Sequence, residues 1–258
     1  MKQYTVDAFT DRVFAGNPAA VCVMEKWLPD ALMQQIAKEN NLSETAFVVK
    51  ESEAYHIRWF TPGKEVDLCG HATLASSYVL SRFYEPGASE LVFTSLSGRL
   101  TVGCKGDLFQ LNFPSRMPEP CAFTDAMRDA IGGLSAESYL DRDLMLVLEQ
   151  EEDVRNFRPD LARIAAVPEG MGLLITAPGK ETDFVSRTFF PKISVNEDPV
   201  CGSAHCNFIP YWAKRLGKTV MTAYQASPRG GYVFCEDRGD RVLIRGKAVL
   251  YSEADISV

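Results

Sequence analysis

The sequence predicts an α+β protein of two pseudo-symmetric halves, each a curved, mostly antiparallel sheet around one buried helix. Three observations carry this expectation. Short β-rich runs recur with few helices between them, and two helical segments are apolar nearly all round. Those two segments also head copies of one pattern, Cys69-Gly70-His71-Ala72 and Cys201-Gly202-Ser203-Ala204, 132 positions apart in a chain of 258 residues.

The strand runs are Tyr4–Phe9, Ala20–Met24, Ala46–Val49, His56–Phe60, Leu91–Thr94, Leu100–Cys104 and Leu108–Phe113. Between the second and third, Asp30–Asn40 places Leu32, Met33, Ile36 and Ala37 on one face behind the start signal Leu28-Pro29-Asp30, which predicts a surface amphipathic helix. Gly70–Phe83 and Gly202–Leu216 carry small and apolar residues on every side until their charged ends, so both belong in an interior. Pro210 lacks an amide donor and crowds the carbonyl four residues back, which predicts a kink there.

The repeat extends beyond the two helices. Phe60-Thr61-Pro62 and Phe189-Phe190-Pro191 precede them, each followed by acidic residues, Glu65 and Asp67 or Glu197 and Asp198. Gly98-Arg99-Leu100 and Gly106-Asp107-Leu108 align downstream with Gly231-Tyr232-Val233 and Gly239-Asp240-Arg241. Several landmarks in one order at a near-constant offset indicate duplication. The boundary is expected in the Pro-rich stretch 114–120, giving halves 1–118 and 119–258, with the last stretch of about ten residues packing back on the first half. The cleft between the halves is the expected ligand site.

Composition narrows the class. With 27 Lys plus Arg against 34 Asp plus Glu, the net charge of −7 offers no cationic surface for phosphates, so no nucleic-acid partner is expected. No apolar run is long enough to span a bilayer and the start lacks a basic-then-apolar signal; a cytoplasmic location without membrane contact is expected. The seven cysteines form no C-x-x-C pair and read as reduced thiols.

The two Cys-Gly turns are the first chemical candidates. The amides of Gly70-His71 and Gly202-Ser203 would head helices as unpaired donors, a cradle for a substrate carboxylate. Cys69 and Cys201 could serve there as an acid/base thiol pair, or be small buried residues at a strand-to-helix turn. His71, near a helix start, is expected neutral and able to hydrogen-bond a substrate, whereas His205 fits packing better and His56 a strand surface. Neither His71 nor His205 has a Cys or carboxylate at the sequence separations of zinc ligands, so no metal is expected. Glu44, in Asn40–Phe47, reads locally as an exposed turn residue but would gain acid/base power if desolvated; Asp198 precedes the second cradle. Nucleotide, serine-hydrolase and metalloprotease motifs are missing, and no cofactor is expected.

Several blocks together carry a family likeness: Asp7–Thr10, Phe14–Ala19, Asn41–Phe47, Arg58–Pro62, Glu65–Thr73, Glu197–His205 and Gln225–Gly231. In order and across nearly the whole chain, they resemble the signature blocks of the PhzF-like, phenazine-biosynthesis-like isomerases. The resemblance implies the diaminopimelate-epimerase-like fold and a cofactor-independent, proton-transfer isomerase, commonly a homodimer. A well-understood relative acts on trans-2,3-dihydro-3-hydroxyanthranilate.

By that likeness Glu44 is the acid/base residue, His71 and Asp198 assist it, and Gly70, Gly202, Ser203 and Asn17 bind a small substrate carrying a carboxylate. One departure stands out: cysteine occupies both turn positions, 69 and 201. That pattern matches the related racemases and epimerases that use two thiols, so a Cys69/Cys201 racemase is the alternative, and a non-catalytic metabolite binder of the same fold a third reading.

Overall fold

Both halves of the repeat fold to one succession of strands and helices. The computed structural model describes residues 1–258. In the first half, β1 (Lys2–Ala8) is followed by β2 (Asn17–Met24), α1 (Asp30–Asn40), β3 (Glu44–Glu51), β4 (Ala54–Phe60), β5 (Glu65–Val66), α2 (Gly70–Val79), β6 (Glu90–Ser95), β7 (Gly98–Lys105) and β8 (Leu108–Pro114). The second half runs β9 (Glu119–Pro120), α3 (Asp125–Ala130), β10 (Glu137–Leu140), β11 (Leu144–Val147), α4 (Glu151–Asn156), α5 (Leu161–Ala166), β12 (Leu173–Pro178), β13 (Phe184–Phe190), β14 (Val195–Asp198), α6 (Gly202–Leu216), β15 (Val220–Gln225) and β16 (Gly231–Asp237).

Pairing confirms the duplication. In the first half β2 and β3 lie parallel, joined by α1, and β4 and β6 lie parallel, joined through α2. The second half repeats both, with β11 parallel to β12 across α4 and α5, and β13 parallel to β15 across α6. A parallel pair needs a crossover long enough to hold a helix, so these four pairings dictate where helices fall. Antiparallel ladders fill the rest, among them β1 with β2, β3 with β4, β6 with β7, β12 with β13 and β15 with β16.

The chain divides into two units, Met1–Asn112 with Arg245–Val258 and Phe113–Ile244. This differs from the division read from sequence at residues 118 and 119. The boundary falls within a strand, Arg241–Gly246, and the returning segment carries a final strand, Ala248–Asp255, that pairs antiparallel with β1 from Ala8↔Ala248 to Lys2↔Asp255. β1 is thereby flanked on both sides, by β2 and by the final strand.

Within the first unit the sheet is covered on both faces. α1 lays Met33, Ile36 and Ala37 on Cys22, Met24, Phe47, Val49 and Phe60, while α2 buries Ala72, Leu74, Ala75 and Val79. Residues Thr45–Val49 of β3 are consecutively buried, as a doubly covered strand requires. The hydroxyls that α2 takes into the interior bond back to carbonyls one turn earlier, Ser76 to Ala72 at 2.7 Å and Ser77 to Thr73 at 2.8 Å. The helix expected to reach Phe83 remains α-helical to Val79 and closes with a wide π turn, Leu80–Tyr84.

In the second unit α3, α4 and α5 supply Met127, Ala130, Val154 and Ile164 to a cluster with Leu146, Leu173, Ile175 and Phe189. Thr176 points to the opposite face. There the Trp212 indole of α6 donates to Thr176 Oγ1 at 3.0 Å and stacks on Phe184 with ring centroids 5.7 Å apart. α6 runs unbroken from Gly202 to Leu216 through Pro210. The carbonyl that proline leaves without its helical donor, Cys206 O, accepts the Arg116 amide at 2.9 Å instead. No helix is long and apolar enough to cross a membrane.

Candidate active site

Glu44 owes its place to the way α1 ends. Asn41 adopts the left-handed conformation (φ 50°) and its N–H bonds to Ala37 O at 3.2 Å, so only Asn41, Leu42 and Ser43 separate the helix from β3. Glu44 becomes the first residue of that strand, opposite Ala19 in the parallel ladder. Its side chain is only 17% exposed, which corrects the local reading of an exposed turn. Asn17, fully buried, opens β2. It follows Gly16, whose φ of +64° and whose Cα hydrogen, only 2.1 Å from Ala8 O if replaced by a methyl group, admit no larger residue.

What Glu44 meets is the start of α2. His71 Nε2 lies 3.2 Å from Glu44 Oε2. Burial pushes the imidazole down from 6.5 to about 3, so the ring is neutral and the contact is between a carboxylate and an uncharged imidazole rather than an ion pair. Cys69 is the N-cap residue of α2, yet its side chain makes no capping bond; its Sγ instead lies 3.5 Å from His71 Nδ1. One donor atom from each of Glu44, Cys69 and His71 falls within 4.8 Å of the others. The sequence separations concealed this group, which is the set of residues here that could hold a metal ion. The thiol stands nearest Nδ1 and the carboxylate nearest Nε2, and a ring lends only one of its nitrogens to a given ion.

The second unit repeats the motif with different chemistry. Cys201 caps α6 without a side-chain capping bond, and its Sγ lies 3.4 Å from Ser203 Oγ, again two residues on. Burial foremost, and then the charge of Asp198, hold the Cys201 thiol well above its ordinary value. The Cys201 amide donates to Gln225 Oε1 at 2.9 Å, and Gln225 Nε2 donates to Asp198 O at 2.6 Å and to Thr188 Oγ1 at 3.1 Å. Ser203 Oγ also accepts from Arg142 at 3.2 Å. That guanidinium is anchored by the buried Asp143 carboxylate, whose other oxygen accepts the Gly172 amide. Gly70 and His71 in α2, and Gly202 and Ser203 in α6, are the first residues of their helices, where amides lack intrahelical acceptors.

The structure therefore joins Glu44, Cys69 and His71 in one unit and Asp198, Cys201 and Ser203 in the other. His205 takes the packing role: it is fully buried, its Nδ1 donates to Cys201 O at 2.7 Å, and Phe184 and Phe208 flank its ring. Burial pushes the Cys22 thiol up to about 12 and that of Cys206 to about 11, as inert interior thiols. Arg142 and Gln225 escaped the sequence reading. Arg142 is flanked by Asp141 and Asp143 in a short turn that reads as solvated charge, and Gln225 is the one amide ending an otherwise apolar and small-residue strand.

Two units of one topology, each with a cysteine-capped buried helix and a polar residue two positions on, define the diaminopimelate-epimerase-like fold class. A probable proline racemase from Agrobacterium radiobacter shares this fold, with a TM-score of 0.64 at 10% identity over 100% of this chain and 93% of that one. Within the class, the chain belongs to the PhzC-PhzF, phenazine biosynthesis-like protein family, whose model matches residues 6–254. An uncharacterized isomerase of Pseudomonas aeruginosa is 49% identical over 248 residues, 96% of this chain and 95% of that protein. The crystal structure of a PhzF-family phenazine biosynthesis protein of Enterococcus faecalis superposes with a TM-score of 0.98 at 52% identity, over 100% of this chain and 99% of that one.

Proposed function

We propose that the protein is a cofactor-independent isomerase that moves a proton between carbons of a small carboxylate-bearing metabolite, with Glu44 as the acid/base group. The observation that carries this reading is the Glu44 carboxylate beside a buried, neutral His71 at 3.2 Å. A carboxylate mostly withdrawn from water and set beside a polar, uncharged neighbour can accept a proton from a carbon acid and return it to another carbon. The amides at Gly70 and His71 suit a substrate carboxylate. Asp198, Ser203, Gly202 and Asn17 are proposed as further substrate contacts, Asp198 holding an amine or hydroxyl group. Substrates like trans-2,3-dihydro-3-hydroxyanthranilate, an amino acid-like diene, fall in this class. Relatives near 50% identity are named as uncharacterized isomerases, which supports the same reaction type.

A two-thiol racemase needs one thiol ionised at the start of each turnover. The raised Cys201 thiol works against that role. The test is incubation in deuterated water with a panel of amino acids, hydroxy acids and cyclic dienoic acids, read by mass spectrometry and NMR. Deuterium uptake with a displaced double bond supports the Glu44 isomerase. Uptake with inversion at an α-carbon supports the racemase, and tight binding without uptake a metabolite-binding protein.

A further inference from the structure

We infer that Cys69 is a positioning residue: its thiol donates to Nδ1 of His71 and so holds the ring proton on Nε2, on the side of Glu44. The inference rests on the reading of Glu44 as the acid/base group. Three observations lead to it. First, the N-cap position of a helix favours a side chain that bonds the helix's own amides, and Cys69 does not do so. Its sulfur is turned to the imidazole at 3.5 Å. Second, His71 is 4% exposed, so water is not the partner that settles which nitrogen carries the proton; the two neighbours at its edges do. Third, those neighbours are of opposite kind. A carboxylate near Nε2 can only accept, and a thiol near Nδ1 can donate.

The only arrangement that satisfies both edges of a neutral ring is S–H toward Nδ1 and N–H on Nε2. The opposite tautomer would set a lone pair on Nε2 against the lone pairs of the Glu44 carboxylate. The thiol therefore acts on the reaction through the ring: it keeps the N–H on the edge nearest the base, 3.2 Å from Glu44 Oε2 though not aligned with it as a hydrogen bond, where its dipole favours the carboxylate form that must receive the substrate proton. The second unit supports the geometric part. There the cap thiol also reaches the polar side chain two residues on, but that side chain is Ser203, which has no tautomer to set.

The test uses the intact protein and ¹⁵N-labelled histidine. Only three histidines are present, so the ring nitrogens of His71 are assigned by comparison with a His71→Asn variant. The wild-type spectrum is expected to show the Nε2–H tautomer with an Nδ1 resonance displaced by hydrogen bonding. Cys69→Ala should move that Nδ1 resonance toward the unbonded position and lower kcat by up to about tenfold, the effect of one hydrogen bond, with KM little changed. Cys69→Ser keeps a donor and should restore the wild-type pattern, and circular dichroism confirms folding of each variant.

A wild-type proton on Nδ1, an Nδ1 resonance unmoved by Cys69→Ala, or a serine variant that behaves as alanine each overturns the inference. The spectrum is read without substrate, so these outcomes stay separate from failure of the Glu44 reading. That failure would appear as undiminished deuterium exchange in Glu44→Gln.

Discussion

Gln225 and Cys201 are joined by a 2.9 Å hydrogen bond from the Cys201 amide to the Gln225 side-chain oxygen, and the same side chain holds Asp198 through its carbonyl. One fully buried amide thus ties the approach to α6 on both sides of the Pro199-Val200 step. Gln225→Ala is expected to leave a buried donor and acceptor unpaired and to cost about 3 kcal/mol in urea unfolding. It should also weaken substrate binding through Asp198. A loss below about 1 kcal/mol would show that the tie does not hold the turn.

Glu44→Gln keeps the shape of the side chain and removes its capacity to take a proton. Turnover should fall by about 10²–10⁴-fold, measured as deuterium incorporation into substrate, with the circular dichroism spectrum unchanged. Retained exchange would end the reading of Glu44 as the base.

On the Glu44 reading, Cys201→Ser should retain turnover within about tenfold, because Ser keeps a small polar side chain beside Ser203 and a thiol raised by burial makes a poor resting base. Complete loss of exchange in Cys201→Ser, or rapid inactivation by iodoacetamide mapped to Cys201, would instead favour the two-thiol racemase.

Two buried histidines make stability pH-dependent with a definite sign. His71 is held down to about 3 and His205 to about 4 by burial, against an ordinary value of 6.5. Between those values the unfolded chain binds more protons than the folded one. Stability from these groups is therefore complete above pH 6.5 and is lost as pH falls toward 4, by up to about 1.4 kcal/mol per pH unit for each. Urea midpoints at pH 7, 6 and 5 read the slope. His205→Gln, which cannot ionise, should lessen it, and an unaltered slope would exclude His205 as a source.

Each repeat carries an Arg–Glu clamp beside its Phe-x-Pro turn, and the two clamps should differ in strength. Arg187 donates to both oxygens of Glu197, at 2.7 and 2.9 Å, and otherwise meets only the carbonyls of Phe157 and Val154 and aromatic faces. Arg58 makes the same fork with Glu65 but also bonds Asp30. Glu197→Ala should strand a buried cation and cost about 3–5 kcal/mol, whereas Glu65→Ala leaves Arg58 a second carboxylate and should cost about 1 kcal/mol. Equal losses would mean that burial does not separate the clamps.

The limits of α1 and α6 are readable from local sequence, since apolar periodicity, Pro29, Asn41 and Gly217 all act within a turn of the helix they delimit. The duplication is readable because its landmarks are glycines, prolines and cysteines with backbone roles. The return of the chain's last residues to the first half is expected from sequence, but the register of Ala248–Asp255 on β1 is not, because strand pairing across nearly the whole chain leaves no local mark. At the site, the contacts of Cys69 with His71 and Cys201 with Ser203 span two residues and follow from a helix start. The approach of Glu44 to His71 spans the parallel β2–β3 ladder and α2. From its neighbours Ser43 and Thr45 alone, Glu44 looks like a solvated turn residue, and only the resemblance to PhzF-like isomerases points to it as the base.

The final strand sets an order on synthesis. The second unit is continuous in sequence, whereas the first waits for residues 248–255 before β1 gains its outer neighbour. During translation the early-made half is left with an open β edge while the later-made half emerges and folds, an exposure that invites pairing between nascent chains. Lys2, which bridges Glu253 and Asp255 once the strand arrives, puts a charge on that edge in the interval. The first strand made, already paired with β2, is among the last to gain its second neighbour.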